Sequence, residues 1–215
     1  MPKPTFLLSI PLWVLLNLAL LNTASFAATG IDQIKICMDF SCKNPQTISL
    51  SQSEWDSVAN WFAQASPNAA AERGHIKNAI GWMEVIVGKH TPTHRDVGGD
   101  LPDEAEFPGQ LDCIDESLNT TAYLKLFEEN DLLKHHKVID RAYRRAIFDQ
   151  HWAGQIETLE GAEQWVVDSW FQHNGYLPYI QTTQEWEKIP FFTSYLDSSQ
   201  DKDKKPGSLL RRLFN

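Results

Sequence analysis

Apolar positions follow a helical period through the first half of the chain and a strand-like one afterwards. Ser51 followed by Glu54 is a capping-box pair, and Trp55, Val58, Trp61 and Phe62 then recur at helical spacing, predicting a helix that ends at Ser66-Pro67. A second helix is predicted from about Ala70 to Lys89, with Ile76, Ile80, Met83 and Val87 on one face. A third starts close to Cys113 and reaches about Glu129, with Leu118, Leu124 and Phe127 spaced for burial. The Trp and Ile stripes of the first two helices read as core. Residues 31–50 read as an irregular or short-strand segment. Residues 90–110 hold Pro92, Gly98, Gly99, Pro102, Pro108 and Gly109 and read as a long loop, a setting that often lines sites.

Past Leu133 the pattern alternates, although His136 to Tyr143 is too polar to choose its faces. Phe148 to Ile156 and Gln164 to Phe171 are aromatic and β-branched and read as strands, with Leu159-Glu160-Gly161-Ala162 as the turn between them. Residues 172–190 read as loop, and Ser198 to Gly207 as a polar tail. Helices first and an antiparallel sheet second predict an α+β domain.

The first 27 residues stand apart from that domain. Lys3 precedes an apolar run from Phe6 to Leu21, and the small residues Ala24, Ser25, Ala27 and Ala28 follow, which is the order of a cleavable export signal. The expected organisation is a signal peptide over 1–27, one domain over 28–197 and a tail over 198–215. The product is expected to be periplasmic or extracellular, with no stable membrane insertion after cleavage. With 19 basic against 28 acidic residues and a net charge of -9, the chain lacks the positive field that nucleic acid requires, so no nucleic-acid partner is expected.

Export bears on the cysteines, of which there are three. In an oxidising compartment Cys37 and Cys42, five positions apart, are expected to close a small disulfide loop, leaving Cys113 over. Cys113 opens a helix after a Gly/Pro-rich loop, where the helix dipole and free N–H groups favour the thiolate. If the two strands form a hairpin, His151 and Asp168 are cross-strand neighbours within a residue or two, close enough for the carboxylate to hold the imidazole. That is the logic of a nucleophile, a base and an orienting acid. An aspartate inside the apolar run Trp165 to Phe171 also needs a partner, and His151 is the economical one. The bland readings are a buried inert thiol, a satisfied histidine and a structural hydrogen-bonder.

Three pieces in order carry a family resemblance: Asp112-Cys113-Ile114-Asp115 at a helix start, His151-Trp152-Ala153 opening a strand, and Val167-Asp168-Ser169-Trp170 in a hydrophobic strand. Residues from roughly 70 to 171 thereby resemble the bacterial transglutaminase-like cysteine proteinases of the papain-like superfamily. The resemblance implies a papain-like core, with the nucleophile helix packed on a small antiparallel sheet. It also implies Cys113 as nucleophile, His151 as base, Asp168 as orienting residue and Gln110 as a candidate oxyanion donor. The expected activity is thiol-dependent hydrolysis of a peptide or amide bond through a thioester, on a protein or peptide substrate in the cell envelope. The alternatives are a catalytically silent secreted binding or structural module on the same scaffold, or a transamidase or cell-wall amidase. Leu111 stands where the family has glycine before Asp-Cys, and the lysine often found later on the helix is absent, which points to a divergent subgroup. Some members bind calcium beside the nucleophile, but Asp112, Asp115 and Glu116 equally suit a helix start, and no cofactor or metal is expected. His90, His94, His135 and His136 lack the ligand spacing of a zinc site.

Overall fold

The computed structural model describes residues 30–99, 107–146 and 149–188. The expected export signal and polar tail lie outside these residues, as does the middle of the loop expected over 90–110.

Strands β1 (Ile31–Ile36) and β2 (Gln46–Leu50) form an antiparallel hairpin that buries Ile34, Ile36 and Leu50. Helix α1 (Gln52–Ala59) begins at the capping box: Ser51 Oγ accepts the Glu54 N–H, and the Glu54 carboxylate accepts the Ser51 N–H at 2.9 Å. Helix α2 (Ala69–His90) is capped by Asn68, whose side chain accepts the Ala71 N–H at 2.9 Å. Helix α3 (Cys113–Glu129) is capped by Asp112, which accepts the Asp115 N–H at 2.8 Å. In each case a short polar side chain satisfies a donor that the first turn leaves open.

Five strands follow: β3 (His136–Val138), β4 (Ala142–Ala146), β5 (Asp149–Thr158), β6 (Gln164–Asp168) and β7 (Tyr179–Thr182). The sheet runs in the order β3-β5-β6-β7, with β4 paired to the first half of β5, and every pairing is antiparallel. A short helix α4 (Thr183–Trp186) closes the described chain. Ile76, Ile80, Met83 and Val87 of α2 meet Tyr123, Leu124 and Phe127 of α3, together with Ile156 and Val167 of the sheet, in one buried cluster. Helix α3 crosses β5 at Gly154, where a Cβ would lie 2.8 Å from Thr120 Cγ2, so the close approach needs glycine.

The result is a mixed α+β fold with helices against an open sheet. The papain-like core expected from the resemblance is a finer statement than this arrangement carries. Two differences from the sequence reading stand out. The stretch expected as loop over 172–190 holds β7 and α4, because Tyr179–Thr182 finds partners along Trp165–Asp168. Strand β6 stops at Asp168 rather than at Phe171, where the chain turns with Gln172 N–H bonded to Ser169 O at 2.8 Å.

Candidate functional site

The disulfide loop and the first turns of α3 meet at the start of that helix. Cys37 and Cys42 are joined in a disulfide. The loop it closes is wound in a left-handed sense, with φ of 63° at Asp39, 61° at Phe40, 56° at Ser41 and 57° at Cys42. Left-handed conformations of residues other than glycine cost roughly 1–2 kcal/mol each, so such a turn survives only where its surroundings over-determine it. Those surroundings are the carboxylates of α3. Asp112 Oδ2 accepts the Ser41 N–H at 2.8 Å and the Ser41 hydroxyl at 3.2 Å, while Asp115 Oδ1 accepts the Cys42 N–H at 2.6 Å. Asn119, one turn further along α3, brackets Cys37: its Oδ1 accepts the Cys37 N–H at 2.8 Å, and its amide donates to Cys37 O at 2.9 Å. Burial, with the Asp112 charge beside it, pushes the Asp115 carboxyl up to about 7. The Cys42, Asp112 and Phe40 N–H groups offset this only in part.

The second half of the site comes from the sheet. Gly154 faces Val167, so one further step puts Asp168 opposite Ala153, two residues from His151. His151 Nε2 and Asp168 Oδ2 lie 2.8 Å apart, both residues almost fully buried. The same Oδ2 accepts the indole N–H of Trp186 at 2.9 Å, while Oδ1 is buried without a partner among the described residues. Trp170, Phe171 and Trp186 box the imidazole, with ring centroids 5.0, 5.2 and 5.6 Å away. Burial disfavours the charged ring. The Asp168 charge and hydrogen bond, assisted by the Cys113 side chain, overcome that and push His151 up to about 9. Cys113 is a free, half-buried thiol whose Sγ lies 3.8 Å from the carbonyl oxygen of Gln150. The structure therefore brings Cys113, His151 and Asp168 into one neighbourhood.

Gln110 is buried and tied to the turn at Arg95–Val97, with Nε2 donating to Arg95 O at 2.9 Å and Oε1 accepting the Val97 N–H at 3.1 Å. A cavity of about 280 Å³ opens beside it, lined by Arg95, Val97, Phe107 and Gln110. The histidines considered for zinc are spread out: His90 pairs with Glu54, His94 bonds Thr91 O, His135 bonds Ser66 O, and His136 Nδ1 lies 2.9 Å from Glu72 Oε1. Sequence reasoning missed two groups here. Trp186, the second partner of Asp168, sits in a stretch that reads as loop. The buried carboxyls of Glu84 and Glu116, behind the site, carry no marker in a helical pattern.

These observations correct the expected activity. Two of the three sulfurs are oxidised, and they group with Asp115 as a possible metal-ligand set, not as free catalytic thiols. The oxidised pair runs against the expected thiol-dependent amide hydrolase, thiol protease or transglutaminase-like enzyme. The expected disulfide is present. No helix among the described residues is long and apolar enough to cross a membrane. Compared with known proteins, the chain matches no family model, no curated protein and no solved structure.

Proposed function

We propose that the chain is an exported, catalytically silent binding module of the cell envelope that presents a contact face to a protein partner. One observation carries this reading. On the paired strands β4 and β5, the rings of Tyr143 and Trp152 pack with centroids 4.4 Å apart, and the Arg141 guanidinium lies 4.6 Å over Trp152. Tyr143 is 40% exposed, so a large aromatic with a polar tip faces solvent beside a fixed cation. The platform is held from behind. Arg141 donates to Ser117 Oγ at 2.9 Å, and Ala142, Ala153, Val166 and Trp186 form a buried cluster. Rigid Tyr, Trp and Arg anchors on a supported strand pair are the residue types that dominate protein contacts. The Cys37–Cys42 disulfide supports an oxidising compartment.

The test is site-specific photo-crosslinking in the producing cell, with a photoreactive residue at Tyr143 and, for comparison, at exposed Leu159. Protein adducts at the first position, absent at the second and lost on Trp152→Ala or Arg141→Ala, are expected. Anchors of this kind carry about 2 kcal/mol or more, roughly thirtyfold in affinity. Adducts in equal yield at both positions, or adducts that vanish on Cys113→Ala, would sink the reading.

A further inference from the structure

We infer that the Cys37–Cys42 pair, once reduced, forms with Asp115 a site for a thiophilic divalent cation, Zn²⁺ or Cd²⁺. The sulfur atoms of both cysteines and one carboxylate oxygen of Asp115 lie within 4.8 Å of one another. The three ligands come from separate elements, the chain just past β1, the left-handed turn and the first turn of α3. Asp115 is fully buried, and its Oδ2 lacks a partner of hydrogen-bonding geometry among the described residues, although the Phe40 N–H faces the carboxylate. A buried carboxylate oxygen left in this way is costly, and a cation would satisfy it.

The S–S bond is one of several supports of the cage's shape. Asn119 grips the Cys37 backbone through both its N–H and its C=O. Asp115 itself holds the Cys42 N–H, and Asp112 holds Ser41. Main-chain clamps from one helix thus keep the two thiols near Asp115 after the bond between them opens. Two thiolates and one carboxylate make a soft three-ligand set with a fourth position open to water, which suits Zn²⁺ and Cd²⁺ and is poor for Ca²⁺, a cation that takes six or more oxygens. The order of events is fixed by the chemistry. An external dithiol reduces the protein disulfide by exchange: the S–S bond breaks, the dithiol closes into its own disulfide, and its two electrons and two protons leave Cys37 and Cys42 as thiols. The cation then displaces both thiol protons, which are released to solvent. The inference stands apart from the binding face on β4 and β5.

The experiment is calorimetric titration of the full chain with Zn²⁺ alone, before and after reduction with a phosphine, repeated with Cd²⁺ to read thiolate-to-metal absorption. One ion per reduced chain, none on the oxidised chain, and protection of two of the three thiols from a disulfide-exchange reagent are expected. Asp115→Asn keeps both sulfurs and should weaken binding at least about tenfold, the least that loss of a direct ligand should cost. Cys113→Ala should bind as tightly as the parent. Equal affinity of Asp115→Asn and parent overturns the site, whether the reduced chain is folded or has simply unfolded into free thiols. Binding by the oxidised chain, or its loss on Cys113→Ala, overturns it as well.

Discussion

Asp168 shows how one side chain organises its surroundings. It is buried in an apolar strand, and its Oδ2 serves His151 and Trp186 together. The need for a partner is legible in the sequence, because a carboxylate among Trp165, Val166 and Val167 must be paired. The identity of the second partner is not, since nothing in Thr183 to Trp186 announces that an indole folds back across the sheet. Replacing Asp168 with Asn removes the charge that raises the His151 pKa and leaves the burial that lowers it. Burial pulls the ring down while the Cys113 side chain still favours the charged form, so the ring should titrate well below about 9, as read by NMR of the labelled imidazole. The same change breaks a buried pair and should cost about 3 kcal/mol in urea unfolding at pH 6. A His151 titration unmoved by Asp168→Asn would show that another group holds its proton.

The three main helices are legible because their periodicity and their caps agree. Ser51, Asn68 and Asp112 stand where the structure uses them. Strand β7 and helix α4 are not legible, being four residues each and dependent on β6 for pairing and packing. The left-handed turn is hidden for a different reason. Asp39-Phe40-Ser41-Cys42 contains no glycine or asparagine, the residues that signal positive φ, and its conformation is imposed by a disulfide and two carboxylates distant in sequence. Asp112 is therefore both the cap of α3 and the tether of that turn. Asp112→Ala should cost more than the usual ~1 kcal/mol for a lost cap, and amide exchange should accelerate at Ser41 as well as at Asp115. Exchange that changes at Asp115 alone would reduce Asp112 to a simple cap.

At the scale of the whole molecule, buried carboxyls shifted upward oppose others shifted downward. Glu84 is fully enclosed, and burial pushes it up to about 8 against the single N–H of Gly175 at 2.9 Å and a contact from Ser169. Glu116 is driven upward by burial and then by the charges of Glu84, Asp96, Asp168 and Asp115. Both carboxyls, like His151, bind a proton more tightly in the folded chain than in the unfolded one. The stability Glu84 supplies is complete below its unfolded value of about 4.5 and is lost as pH rises to about 8, that of His151 is complete below about 6.5 and lost as pH rises to about 9, and that of Glu116 is lost in the same direction. Glu72 acts in the other direction. Its burial is outweighed by His136 and by the Lys134 and His135 N–H groups, so its pKa is lowered and its contribution is lost as pH falls below the unfolded value of about 4.5. Thermal stability should therefore peak near pH 4.5 and fall by about 10 °C towards pH 9, since a few kcal/mol in a chain of this size shifts Tm on that scale. Glu84→Gln separates this account from general alkaline instability. The amide keeps the shape and an acceptor for Gly175 but has no proton to lose. Its Tm should match the parent at pH 5 and exceed it at pH 9. A variant that loses as much stability as the parent over that range would show that ionisation of Glu84 is not what destabilises the fold at high pH.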